Sequence, residues 1–395
     1  MQKQDIQTVW TAKGIGVYFH IPFCAGKCPY CDFYSVAGNA EQKDAYTRQL
    51  VQEFQATVQE AGRKADTVYL GGGTPVLLGL DNLCRVLEAV RPCLLPDAEV
   101  TIEANPNAVS LPLLSGLQEA GINRISFGMQ SGVPEELQAL GRRHSVEQVV
   151  EAVRMARCAG IDNISLDLML GIPYQTADSL EQTLEIVSSL APAHVSAYLL
   201  KIEQETPFGQ NGIEALCPDE DQTADLYLQA AARLEQMGLF QYEISNFSRP
   251  GKQSRHNLKY WRCEEYAGIG VAAHSYLDGV RYAHQRNLQV YLQDWKADWT
   301  VTDASPGGFG EYAMLRLRLT EGLPLKECQR RFGVSPESLV RTALPYVEAG
   351  LITVSNHVLA LTRKGFLVSN RLIVELLSTQ GVQDADLQKE RLLPI

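Results

Sequence analysis

Gly16-Val17-Tyr18-Phe19-His20-Ile21-Pro22-Phe23-Cys24-Ala25-Gly26-Lys27-Cys28-Pro29-Tyr30-Cys31-Asp32-Phe33 decides how this chain is read. A short apolar run leads straight into three cysteines at C-x3-C-x2-C spacing. Thiolates are anionic and soft, and three of them in one loop can turn onto a common metal centre. The number three carries the information. A four-iron cube normally takes four cysteines, so three leave one iron open to a small bidentate molecule. Zinc is the competing reading. A structural zinc site wants four protein ligands, commonly as two separated pairs, and no second C-x2-C pair follows.

Composition narrows the class. A chain of 395 residues with 45% hydrophobic and 21% charged residues reads as an ordinary globular protein with room for two domains. The formal net charge of -11, with no block of Lys and Arg, argues against nucleic acid as a partner. No apolar run reaches the length of a membrane span, and residues 1–14 hold no apolar core of a secretory signal, so a cytoplasmic location is expected. Nine cysteines without framework spacing fit a reducing compartment. Outside the loop, Cys84, Cys93, Cys158, Cys217, Cys263 and Cys328 read as core or surface thiols, with Cys263 set apart below.

From residue 16 to about 200 a unit repeats: a short β-prone run, a polar or Gly-rich loop, then an amphipathic helix. Strands are expected at 17–21, 67–70, 100–104, 124–128, 164–168 and 194–199, and helices near 40–62, 80–90, 111–120, 145–159 and 179–190. Such alternation implies parallel strands joined by helical crossovers. The notable residues fall at strand ends, which in a parallel barrel form one functional face. They are Leu70-Gly71-Gly72-Gly73-Thr74-Pro75, Glu103, Gln130 with Arg142 further on, and Asp167. Successive glycines let a backbone approach a ligand closely, though a plain tight turn also uses them. Glu103 also reads as a solvated loop charge. Asp167 stands inside an apolar strand, where burial is costly without a partner.

With these residues in place, the chain resembles the coproporphyrinogen-oxidase-like branch of the radical S-adenosylmethionine (SAM) enzymes, over all but its first dozen or so residues. The resemblance implies an α/β fold, a partial (β/α)6 TIM-like barrel with a small C-terminal helical, winged-helix-like domain. It implies a 4Fe-4S cluster on Cys24, Cys28 and Cys31. It implies SAM contacts from Tyr18, Gly72, Gly73, Thr74, Glu103, Gln130, Arg142 and Asp167.

Two activities occur in that branch. One is oxygen-independent dehydrogenation of coproporphyrinogen III; the other is a chaperone activity that binds haem and hands it to acceptor haemoproteins, respiratory ones among them. Three features favour the chaperone. Phe33 stands where the oxidase has a further cysteine. Only 23 residues precede Cys24, too few for the oxidase's covering segment. And Arg255-His256-Asn257-Leu258-Lys259-Tyr260-Trp261 carries the chaperones' HNxxYW pattern. Haem iron accepts an imidazole, so His256 is the expected axial ligand, with Tyr260 and Trp261 covering the macrocycle. A surface histidine beside two core aromatics is the plainer reading, and the Cys263 thiolate is the alternative ligand. No catalytic residue is assigned. His20 reads as a core-facing histidine near the cluster, and His274 as structural.

The first domain is expected over residues 1–290 and the second over 291–395. The strand and helix rhythm stops near Asn287. Helical stretches at 311–319, 325–332 and 335–349, then two short apolar runs at 351–354 and 358–361, give the plan of a winged-helix-like module. No basic cluster lies along its second helix, so a lid or partner-docking role is expected. Peripheral membrane association through acceptors and a homodimer are both compatible with this composition.

Overall fold

The structure, a computed structural model, describes residues 14–380. The repeating half of the chain runs β1 (Ile15–Ile21), α1 (Ala40–Phe54), β2 (Ala65–Gly72), α2 (Leu80–Val90), β3 (Leu94–Ala104), α3 (Leu111–Ala120), β4 (Arg124–Gln130), α4 (Pro134–Ala139), α5 (Val146–Cys158), β5 (Asn163–Leu170), α6 (Ala177–Leu190) and β6 (His194–Leu199). All six expected strands are present. Local chemistry starts the helices: Asn39 with Gln42, and Ser145 with Gln148, form reciprocal capping boxes at α1 and α5. Spacing then orients them. Along α2, Leu83, Val86, Leu87 and Val90 are buried, the i, i+3, i+4, i+7 stripe of a helix lying on a sheet.

Neighbouring strands from β1 to β6 pair in parallel and in sequence order. Because side chains alternate across a strand, the register sorts them into two faces. Phe19, Leu70, Ile102, Ile125 and Ile164 lie in one row on the helix-covered face, all buried. The other face is polar and almost as buried: Tyr18, Tyr69, Thr101, Arg124, Ser165 and His194 belong to it. It forms the inside of the barrel.

The repeat does not end at β6. A connection with the short α7 (Pro207–Gln210) leads to the long α8 (Glu220–Gln236), which sits outside the expected elements, then β7 (Phe240–Gln241) and β8 (Asn246–Ser248). After α9 (Arg255–Trp261), strand β9 (Tyr266–Ile269) returns to the other side of the barrel and pairs in parallel with β1. β10 (His274–Leu277), β11 (Val280–His284) and, after α10 (Leu288–Asp294), β12 (Trp299–Asp303) extend it antiparallel. The twelve strands stand in the order β12-β11-β10-β9-β1-β2-β3-β4-β5-β6-β8-β7, so the two edges stay apart and the barrel is partial. These added strands are two to five residues long and Gly-rich around β9, too short for an alternation pattern to show. Strand β12 belongs to this sheet, so the first body runs past the expected boundary at 290.

The C-terminal module comprises α11 (Phe309–Arg316), β13 (Leu323–Pro324), α12 (Leu325–Phe332), α13 (Pro336–Glu348), β14 (Ile352–Ser355), β15 (Val358–Leu361), α14 (Arg363–Leu367) and α15 (Ser369–Ser378). Its three strands form a small antiparallel sheet beside the helices, as a winged-helix-like plan requires. Ser335 caps α13 by accepting from the Ser338 N–H at 3.3 Å, with Pro336 as first helical residue. Among the described residues no helix is long and apolar enough to cross a membrane.

Candidate cofactor site at the barrel mouth

The cysteine loop leaves the end of β1 and lies across the ends of the neighbouring strands. The Gly71-Gly72-Gly73 run explains how they come so close. The Gly73 N–H donates to the Ile21 carbonyl at 2.9 Å and the Thr74 N–H to the Phe23 carbonyl at 2.8 Å. A Cβ on Gly73 would stand 2.8 Å from the Phe23 carbonyl oxygen, and one on Gly72, whose φ is +112°, would stand 2.7 Å from the His20 ring. The glycines therefore dock the second strand end onto the cysteine loop.

Side chains continue the link. Cys24 Sγ lies 3.5 Å from Thr74 Oγ1, which accepts from Asn105 Nδ2 at 3.0 Å. Asn105 Oδ1 accepts from Arg142 at 2.7 Å, and the same guanidinium reaches the Gly128 carbonyl at 2.9 Å and Cys28 Sγ at 3.6 Å. One continuous chain of polar contacts thus runs from the first cysteine to the second through three strand ends. The loop is braced from outside as well. Tyr30 packs against Phe208 with ring centroids 6.0 Å apart, the Phe208 N–H donates to the Pro29 carbonyl at 3.0 Å, and Arg286 donates to the Asp32 carbonyl.

Beneath the loop lie the carboxylates. Glu103 accepts from the Tyr69 hydroxyl at 2.8 Å and from the Gly72 N–H at 3.2 Å. Burial pushes its carboxyl up to about 7, with Tyr69 opposing and Asp167 assisting. Asp167 on β5 is also raised by burial, and it has the partner its strand demanded: Ser126 Oγ donates to it at 2.9 Å. Tyr18 donates to His20 Nδ1 at 3.1 Å while His20 Nε2–H donates to the Tyr34 carbonyl at 3.0 Å, so His20 is a satisfied inward histidine. Gln130 sits at a break in the β4–β5 register with φ +66°, which turns it out of the strand beside Gly128. Every expected mouth residue therefore gathers at one end of the barrel.

Three further residues here belong to none of the motifs. Asn105 joins Thr74 to Arg142, Tyr69 holds Glu103, and Arg124 is a fully buried guanidinium whose Nε has no partner. Tyr69 and Arg124 could have been found from period-two alternation, since both are polar positions in otherwise apolar strands.

Do these residues fit an iron-sulfur cluster? Cys24, Cys28 and Cys31 are all free thiols and all partly exposed. They lie close enough that Cys28 and Cys24 add to the burial that raises the Cys31 thiol. Among the described residues no three His, Cys, Asp or Glu side chains already converge as a metal-binding group. The donor set fits a loop that closes onto a cluster on loading.

The HNxxYW segment lies elsewhere. It forms α9, capped by Ser254, and closes the opposite end of the barrel. His256 is 1% exposed, and both ring nitrogens are engaged: Nδ1 with Thr67 Oγ1 at 2.9 Å and Nε2 with the Tyr260 hydroxyl at 2.8 Å. Its ring stacks on Tyr69 at 5.3 Å and burial lowers it to about 3, so it is neutral. The expected axial ligand thus presents no free nitrogen to a haem. Tyr260 packs edge-on against Tyr266, and Trp261 joins Leu315 and Leu319 of the C-terminal module. Burial likewise pushes the Cys263 thiol up to about 11, so it is no ready thiolate.

An open parallel barrel with three cysteines and a Gly-Gly-Gly turn at its mouth defines a radical SAM protein. Consistent with this, residues 18–187 match the Radical SAM superfamily and residues 310–368 the HemN C-terminal domain. A solved structure described as coproporphyrinogen III oxidase (HemN) from Escherichia coli, a radical SAM enzyme, superposes with a TM-score of 0.79 at 23% identity, covering 92% of this chain and 90% of that one. Heme chaperone HemW from Bacillus subtilis is 35% identical over 370 residues, spanning 90% of this chain and 97% of its own, and its Escherichia coli counterpart is 36% identical over 373 residues, spanning 91% and 97%. The chain belongs to the HemW family. Membership implies an iron-sulfur cluster and SAM.

Proposed function

We propose that this protein takes up haem and passes it to acceptor haemoproteins, with a 4Fe-4S cluster at the barrel mouth. The observation that carries this reading is full-length similarity to proteins named heme chaperone HemW, at 34% to 36% identity across three species. Phe33, exposed in the cysteine loop, supports the same side of the branch over coproporphyrinogen dehydrogenation.

In this reading Cys24, Cys28 and Cys31 hold the cluster, and Tyr18, Gly72, Gly73, Thr74, Glu103, Gln130, Arg142 and Asp167 surround SAM. When bound, the cluster supplies an electron source and an open iron for the amino-acid end of SAM. The chain's own contributions are electrostatic. Glu103 and Asp167 offer carboxylates to a cationic ligand, and Arg142 sets a guanidinium beside the thiolates that must carry negative charge. Haem, acceptor haemoproteins, a cytoplasmic location and the division into a SAM core and a C-terminal module that docks partners complete the proposal.

The test is a haem titration of anaerobically reconstituted protein, followed by transfer to an apo-haemoprotein. A saturable Soret shift and restored acceptor absorbance are expected. Absence of saturable binding, together with SAM-dependent loss of carbon dioxide from coproporphyrinogen III, overturns the reading in favour of the dehydrogenase.

A further inference from the structure

We infer that His256 is a positioning residue for the barrel mouth: it fixes Tyr69, and through Tyr69 the Glu103 carboxylate, and it does not ligate haem. Four observations on one column of side chains carry this. The Glu99 carboxylate accepts from both the Arg255 and the His256 backbone N–H groups at 3.2 Å, which ties the start of α9 to β3 inside the barrel. Lys259, buried, ties its other end to β2 and to the start of β1, pairing with Asp66 at 2.8 Å and donating to the Gly14 carbonyl at 2.8 Å. Between these anchors the His256 ring is held in plane by Thr67 and Tyr260. Upon that ring lies Tyr69, nearly parallel at 28°, and the Tyr69 hydroxyl ends on Glu103 Oε1.

A tyrosine ring is held by its one attachment and by whatever it rests on, so the surface beneath it sets its tilt and the reach of its hydroxyl. His256 is that surface. Tyr18, the other ring of the mouth, also rests near it at 6.4 Å. Preorganisation of this kind is how supporting residues tune a site they never touch. Three of the four fixed residues of the HNxxYW pattern then have a physical reason: His256 supports the mouth, Tyr260 locks His256, and Trp261 seats the C-terminal module against the same helix.

The inference rests on the mouth being the SAM site, so the experiment reads it in two ways. The first uses the full chain with its cluster rebuilt and titrates SAM and haem separately. His256→Phe keeps the stack and loses both hydrogen bonds; SAM affinity is expected to fall about tenfold with the haem titration unchanged. His256→Gln, which can donate and accept, is expected to stay within about threefold of wild type. Tyr69→Phe should cost about as much as His256→Phe, and the double variant no more than either alone. The second reading needs no ligand: the carboxyl infrared band of Glu103, assigned as the difference from Glu103→Gln, should shift in His256→Phe. Should His256→Phe not fold, Tyr260→Phe removes one hydroxyl and is expected to weaken SAM in the same direction. Loss of haem binding with SAM affinity intact, multiplicative effects in the double variant, or an unmoved Glu103 band overturns the inference. A wild type that binds no SAM, with the Glu103 band still shifted in His256→Phe, refutes the SAM site alone.

Discussion

Glu53 of α1 and His284 of β11 meet at 2.7 Å with both side chains buried, and Asp298 closes on the other ring nitrogen at 3.2 Å. Tyr291 donates to the same Glu53 carboxylate at 2.5 Å, as does the Gly270 N–H at 3.0 Å. This knot fastens the first helix to the strands that extend the barrel beyond β1. Burial alone would lower His284, but Glu53 and Asp298 more than offset it and raise it above its usual value. A histidine raised in the folded state contributes stability that is complete below its unfolded value near 6.5 and declines as pH rises through the folded value. The difference in melting temperature between wild type and His284→Gln should therefore narrow from pH 6 to pH 9. Removing the carboxylate in Glu53→Ala strands three buried partners and should cost about 3 kcal/mol or more by denaturant titration.

Glu103 gives a pH signature of the same sign over a lower range. Its carboxyl is raised by burial to about 7, so the folded chain holds a proton that the unfolded chain releases above the usual carboxyl value. Stability from this group falls as pH rises from about 4.5 to 7. A cationic ligand needs the ionised form, so SAM affinity should rise across pH 6 to 8. Calorimetric titration of Glu103→Gln should show weaker binding with that slope gone; a slope that persists assigns it to another group.

Gly73→Ala should damage the junction between the glycine run and the cysteine loop. The new methyl meets two backbone carbonyl groups, those of Pro22 and Phe23, neither of which can step aside as a side chain can. Overpacking of this sort costs about 1–3 kcal/mol. The measurable outcome is a lower melting temperature together with substoichiometric iron after reconstitution.

Replacing Cys24, Cys28 and Cys31 together by alanine should abolish the broad visible absorbance of the cluster. Haem transfer to an apo-acceptor should slow markedly in the same variant. Transfer at the wild-type rate would leave the cluster without a part in haem handover.

Much of this is legible in the sequence, and the reason is periodicity. Six strands and their crossover helices announce themselves by spacing and caps, and the mouth residues by standing where apolar runs stop. Asp167 was the clearest case: a charge inside an apolar strand must find a partner, and Ser126 is that partner. What stayed hidden is set by long-range contact. Strands β7 to β12 are too short to show a period, and β9 is a strand because β1 offers it an edge. His256 reads two ways for a related reason. Its motif shows aromatics beside an imidazole, and the same residues suit a haem pocket or a barrel floor. What favours the floor is the contact of His256 with Thr67 and Glu99, more than 150 residues upstream.

The braces on the cysteine loop come from far along the chain. Arg142, Phe208, Arg286 and the Leu288 N–H, which donates to the Tyr34 hydroxyl at 2.9 Å, all hold it. During synthesis the amino-terminal part emerges first, so the three cysteines leave the ribosome long before the residues that shape their loop. Iron and sulfide delivered to the nascent segment would meet an unbraced loop. Cluster loading is thus expected of the finished chain, its three partly exposed thiols waiting until Leu288 has folded against Tyr34 just past their loop.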